Sequence, residues 1–125
     1  MPMADFKKLL VWQKAHTLAL HVHRTAGRIR GPQNAALRNQ MTRSAQSIAA
    51  NIVEGRGQKS ERDFARFLGY ALNSASELEY HLMMARDVRA IPESEYDALT
   101  AQLIEVRTML HGLIARLGAQ AVPDR

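Results

Sequence analysis

The sequence predicts an all-α protein, an antiparallel up-and-down four-helix bundle. Three observations carry that reading. Apolar residues recur at steps of three and four in four separate stretches of about 20 to 26 residues. Short junctions holding glycine or proline divide those stretches, and short loops between helices favour antiparallel neighbours. No alternating strand pattern competes with them.

The first helix is expected from about Leu9 to Arg28, with Phe6, Leu9, Trp12, Ala15, Leu18, Ala19 and Val22 as its buried stripe. Asp5 can cap an early start, and Gly27, Gly31 and Pro32 end the helix. The second is expected from Asn34 to Glu54. Leu37, Met41, Ile48 and Ile52 face one way with Ser44 and Gly55 near the same line, and Gln40, Ser47 and Asn51 flank them. Arg43 and Glu54 lie further round, while Ala45, Ala49 and Ala50 let a neighbouring helix come close. Gly55 and Gly57 suit a left-handed helix exit and a loop. Ser60 then caps the third helix, with Asp63 as a short-armed capping-box acid.

The third helix is the clearest, from Asp63 to about Val88, on Phe64, Leu68, Ala71, Leu72, Ala75, Leu78, Leu82 and Ala85. Pro92 fits the first position of the fourth, and Glu93 and Glu95 suit the positive end of its dipole. That helix carries Tyr96, Leu99, Leu103, Val106, Leu110, Leu113 and Leu117, and Gly118 is expected to close it. The 125 residues fit one domain, with a core over about 5–117 and a frayed tail over 119–125.

Composition removes several function classes. The chain has no cysteine, so disulfides, thiolate chemistry and cysteine metal sites are excluded. His16, His21, His23, His81 and His111 show neither HExxH nor the Glu-x-x-His spacing of di-iron bundles. Ser44, Ser47, Ser60, Ser74 and Ser76 lie in no GxSxG or Ser-x-x-Lys pattern, and Glu77 and Glu79 point in different directions on a helix. The Gly55–Gly57 corner is no phosphate loop. No enzyme activity, cofactor or metal is expected. No apolar run approaches the roughly 18 residues of a membrane span, and no signal peptide is read, so the cytoplasm is the expected location.

Charge is divided unevenly. Formal charge is +5, yet residues 1–60 hold ten basic and two acidic side chains, and residues 61–125 hold seven basic and ten acidic. The halves are therefore opposite in sign, at +8 and −3. Two readings of the basic residues follow. Arg24, Arg28, Arg30, Arg38, Arg43, Arg56, Lys59, Arg62 and Arg66 could form a surface for RNA or DNA phosphates. Alternatively they are a solvated face and pair with acidic groups between subunits. The aromatic residues fall mostly on core stripes, which argues against a base-stacking platform. Trp12 can be core or an interface anchor. Phe67 and Tyr70 on the third helix, and Ile104 and Ile114 on the fourth, widen the apolar faces beyond one bundle's need and favour a homo-oligomer.

A set of motifs resembles a known family. These are Val11-Trp12-Gln13-Lys14-Ala15, then Gln40-x-x-Arg43-Ser44-Ala45-x-Ser47-Ile48-x-x-Asn51-Ile52-x-Glu54-Gly55, then Phe64-x-x-Phe67-Leu68-x-x-Ala71 and Ser74-x-x-Glu77-Leu78-Glu79. Over about residues 5–117 they are similar to the bacterial four helix bundle proteins encoded by intervening sequences in 23S ribosomal RNA genes, the S23 family. That family is similar in fold to the accessory variability determinant protein of diversity-generating retroelements, which binds nucleic acid and its reverse transcriptase through a basic surface. The resemblance implies short bundles that assemble as ring-like homopentamers, without an established activity for the intervening-sequence members. It implies that Trp12, Gln40, Arg43, Ser47, Asn51, Glu54 and Gly55 are structural and assembly residues. The chain departs from the family pattern at Ala49, where proline is usual, at Gln58, where arginine is common, and at Asn73, where glycine is common.

Overall fold

Each apolar stripe folds as its spacing requires. A computed structural model describes residues 5–121. Its helices are α1 (Leu10–Gly27), α2 (Ala35–Arg56), α3 (Glu61–Asp87) and α4 (Glu93–Ala121), with 3-10 turns at Phe6–Lys8 and Pro32–Asn34. There is no strand among the described residues. Contacts run from α1 to α2, α2 to α3, α3 to α4 and α4 back to α1, and α2 with α3 is the most extensive pairing. The buried apolar side chains of all four helices join in one cluster, with Leu18, Met41, Ile48, Leu78 and Leu110 at its fully buried centre. No helix among the described residues is long and apolar enough to cross a membrane.

Polar contacts stitch α1 to α4 at heptad spacing. Lys14 Nζ lies 3.4 Å from Glu105 Oε2, His21 Nδ1 lies 2.9 Å from Gln102 Oε1, and Arg28 Nη2 donates to Glu95 Oε2 at 2.8 Å. Between α3 and α4, Arg107 Nη2 donates to Glu79 Oε1 at 2.8 Å.

Several boundaries differ from the sequence expectation, each for a local reason. Asp5 caps the first 3-10 turn, its carboxylate accepting from the Lys7 N–H at 3.0 Å. In α1 the buried line runs through Val11 in place of Trp12, which is half-buried, stacked on His16 at 4.9 Å and edge-on to Phe6 at 5.0 Å. Gly55 is no exit residue but lies inside α2, and Gly57 ends that helix with φ of −83° in the ordinary right-handed region. The left-handed glycine is Gly31, at φ 94°.

Ser60 does cap α3, its hydroxyl accepting from the Asp63 N–H at 3.1 Å. The Asp63 carboxylate accepts from Arg66 at 3.2 Å. Gly118 does not close α4, because its backbone stays helical and the helix continues to Ala121. The last part of the expected tail, 122–125, lies outside the described residues.

The corner after α3 uses a non-glycine residue in the left-handed region. Arg89 sits at φ 61°, the Ala90 N–H reaches Ala85 O at 2.8 Å and the Arg89 N–H reaches Arg86 O at 2.9 Å. These are the paired bonds of a Schellman ending. Ile91, 5% exposed, then anchors the corner in the core.

Candidate functional site

Helix α2 carries the densest set of candidate residues and divides them by face. Towards α3 lies a polar seam. The Ser74 hydroxyl donates to Ser47 Oγ at 2.8 Å, and the Asn51 amide donates to Ser47 O at 2.9 Å and to Ser47 Oγ at 3.1 Å. Ser44 turns back on its own helix, to Gln40 O at 2.8 Å. A buried hydroxyl without a partner would cost about 1–3 kcal/mol, so the seam is closed on itself.

Gly55 continues that face. A Cβ on it would stand 2.8 Å from Phe67 Cβ and 2.9 Å from Phe64 Cδ1. Glycine is there to let α3 approach. Gln40, Arg43 and Glu54 point outwards and are exposed. The family-motif residues thus separate into Ser47 and Gly55, which meet α3, Asn51, which is tied to α3 through Ser47, and three that face away from the core. Trp12 lies apart from both sets, on α1.

The nine basic candidates do not form one patch. Arg28 pairs with Glu95, and Arg38 Nη1 donates to Ile29 O at 3.1 Å and Gly31 O at 3.0 Å, tying down the α1–α2 corner. Arg66 donates to Tyr70 Oη and to Asp63, and lies 4.9 Å from the Phe67 ring centre. The bond to Tyr70 first, and that to Asp63 next, raise the Arg66 pKa above its ordinary value. Arg56 lies 5.7 Å from the Phe64 ring centre, its Nε buried and without a hydrogen-bond partner.

Arg24, Arg30, Arg43, Lys59 and Arg62 are exposed and make no ion pair among the described residues. Arg24, Arg30 and Arg43 belong to the α1–α2 end, whereas Lys59 and Arg62 sit at the α2–α3 turn. The length of α2, about 33 Å at 1.5 Å per residue, separates the two ends.

Between α1 and α2 an open groove of about 670 Å³ is lined by His23, Arg38, Asn39, Gln40, Thr42 and Arg43, together with Ala26, Gly27 and Ala36. No carboxylate lines it. The sequence signal for this groove was available: from Phe6 to Val53 the chain contains no Asp or Glu at all.

The aromatic expectation needs correction. Phe64 is buried and Trp12 and Tyr96 pack against the core as expected, but Tyr70 is 41% and Tyr80 59% exposed. Both stand on α3 where the helix turns away from its neighbours. No group of three or more His, Asp or Glu side chains able to hold a metal ion occurs among the described residues.

Four long amphipathic helices and a closed polar seam define a small helical-bundle protein. The family model for the 23S rRNA-intervening sequence protein matches residues 7–112, and the chain belongs to that family. A solved relative is a protein of unknown function from the S23 ribosomal protein family of Bacteroides thetaiotaomicron VPI-5482. It is 27% identical, with a TM-score of 0.79 over 84% of this chain and 98% of that one. No curated protein matches the chain.

Proposed function

We propose that the protein is a non-enzymatic, homo-oligomeric bundle that presents a basic surface to RNA or DNA. The observation carrying the nucleic-acid part is the α1–α2 groove, with two arginines, a histidine and side-chain amides but no carboxylate. Phosphate oxygens are acceptors only, so a donor-lined, acid-free groove suits a sugar-phosphate backbone better than a cationic partner. The antiparallel order belongs to the same proposal. It is supported by the pairing of Gly55 with Phe64 and Phe67 near one end of α2 and of Ser47 with Ser74 further back. The ring-like pentamer, and a kinship with the accessory protein of diversity-generating retroelements, rest on the resemblance of the motifs.

Retention on structured RNA and on duplex DNA across a salt series tests the binding. Affinity should fall steeply with salt, by about 0.9 logarithmic units per neutralised phosphate on duplex DNA. Arg43→Gln should lower that slope by about 1 while leaving mass and stability unchanged. Absence of retention at low salt would refute the nucleic-acid reading. A second reading, a purely protein-binding module, is favoured by the exposed apolar side chains of α3. Retention unaffected by Arg43→Gln, with loss of assembly instead, would support it.

A further inference from the structure

Two outward stripes in this bundle are built for each other and cannot meet within one chain. Among the exposed large apolar side chains, Tyr70, Tyr80, Met83 and Met84 stand on α3 and Val88 at its end, while α1 supplies Leu10 and Leu20. On α1 the exposed positions Leu10, Gln13, Thr17, Leu20 and Arg24 follow each other at steps of three and four. On α3 the exposed positions Tyr70, Asn73, Glu77, Tyr80 and Met84 do the same. That alternation is the seam pattern of two helices packing side by side. Yet the backbones of α1 and α3 do not approach each other among the described residues, since α2 and α4 lie beside both. The two stripes sit at opposite corners of the bundle.

We propose that the α1 stripe of one copy seats on the α3 stripe of a second copy, with the helices parallel and Leu20 opposite Tyr80. This rests on the homo-oligomer reading above and specifies the surfaces it would use. The parallel register sets Leu10 on Tyr70, Gln13 on Asn73, Thr17 on Glu77, Leu20 on Tyr80 and Arg24 on Met84, so both leucines meet an aromatic side chain. The reverse register sets Leu10 on Met84 and Arg24 on Tyr70 but leaves Leu20 against Asn73, so only one of the two leucines keeps an apolar partner.

Charge supports the same pairing. Helix α1 has no acidic residue, whereas the α3 stripe holds Glu77 and is followed by Asp87. In the parallel register Arg24 falls within one turn of Asp87, whose carboxylate also accepts from Arg86 at 2.9 Å. Cation and carboxylate therefore meet across the contact, and two α3 stripes packed on each other would instead oppose Glu77 to Glu77.

Because the two patches differ and lie on opposite corners, each copy offers one and receives one. The contact is head-to-tail, closing into a ring when the rotation per copy divides a full turn and otherwise extending as a filament.

Cysteine cross-linking tests this directly, since the natural chain has no cysteine. Both positions are exposed, Leu20 at 44% and Tyr80 at 59%, so substitution should leave the core intact. A disulfide needs Cβ atoms roughly 3.5–4.5 Å apart and therefore reports register as well as proximity. The full-length chain carrying both Leu20→Cys and Tyr80→Cys should give a ladder of covalent multimers on mild oxidation. Each single variant should give none, and the two single variants mixed should stop at covalent dimers. A control pair, Gln46→Cys with Tyr80→Cys, should give no ladder.

Dimers from either single variant would reveal a symmetric contact and overturn the proposal. A multimeric native mass without a ladder would overturn these surfaces and leave the oligomer reading standing. A single-chain mass by light scattering at micromolar concentration would overturn both.

Discussion

Gly55 and Gly69 occupy the interiors of two neighbouring helices and demand opposite outcomes from the same substitution. At Gly69 an added Cβ meets nothing within 4 Å. Gly69→Ala should therefore stabilise the protein by about 0.5–1 kcal/mol, the ordinary helix gain. At Gly55 the new methyl would press on Phe67 Cβ, Phe64 Cδ1 and, at 3.2 Å, the Phe64 backbone oxygen. These are not flexible side-chain ends, so α2 and α3 must separate. Gly55→Ala should cost about 1–3 kcal/mol, and urea midpoints of the two variants should move in opposite directions. The sequence pattern alone reads Gly55 as a turn glycine, because a close approach depends on a partner helix that no local spacing specifies. Arg89 teaches the converse. An L-residue held at φ 61° gives up about 1 kcal/mol, so Arg89→Gly should raise the thermal midpoint.

At the scale of elements, what could be read early was what period decides. Four helices of the right kind follow from apolar steps of three and four, and so do Leu68, Leu78 and Leu103 as core residues. Ends were harder, because Gly57, Gly118 and Asp63 carry local signals that tertiary packing or a competing partner overrules. The polar seam shows what local spacing could not supply. Asn51 was recognisable as a flank of the apolar stripe, but its tie to Ser47, and through it to Ser74 on α3, required the two helices in place. The basic candidates were legible as residues and not as a surface: four are engaged by groups of the same chain, and the rest fall at two ends. The seam makes its own prediction. A double-mutant cycle of Ser47→Ala and Ser74→Ala, read by denaturant unfolding, should return a coupling of about 0.5–1.5 kcal/mol. Additive losses would mean that the hydroxyls act separately.

For the whole molecule, the partition of charge is the dominant electrostatic fact. The acid-free run covers α1 and all of α2 up to Val53, while most acidic side chains lie on α3 and α4. Arg28–Glu95 and Lys14–Glu105 neutralise the boundary within one chain. The contacts that stitch α1 to α4 also have a bearing on the order of folding. Ser47 and Ser74 are separated by 27 positions, whereas His21 and Gln102 are separated by 81. Closing the longer loop costs about 1 kcal/mol more in chain entropy, and α1 with α4 is the least extensive of the four helix pairings. The α2–α3 hairpin should therefore assemble first and the first and last helices meet late. Val11, buried beside Met109 and Leu113 of α4, reports on that last step. Val11→Ala should speed unfolding and leave the refolding rate nearly unchanged, while Ile48→Val in α2 should slow refolding. Rapid-mixing kinetics in urea would detect the difference as movement of opposite arms of the chevron. The α1–α4 join is then the place where this bundle opens first.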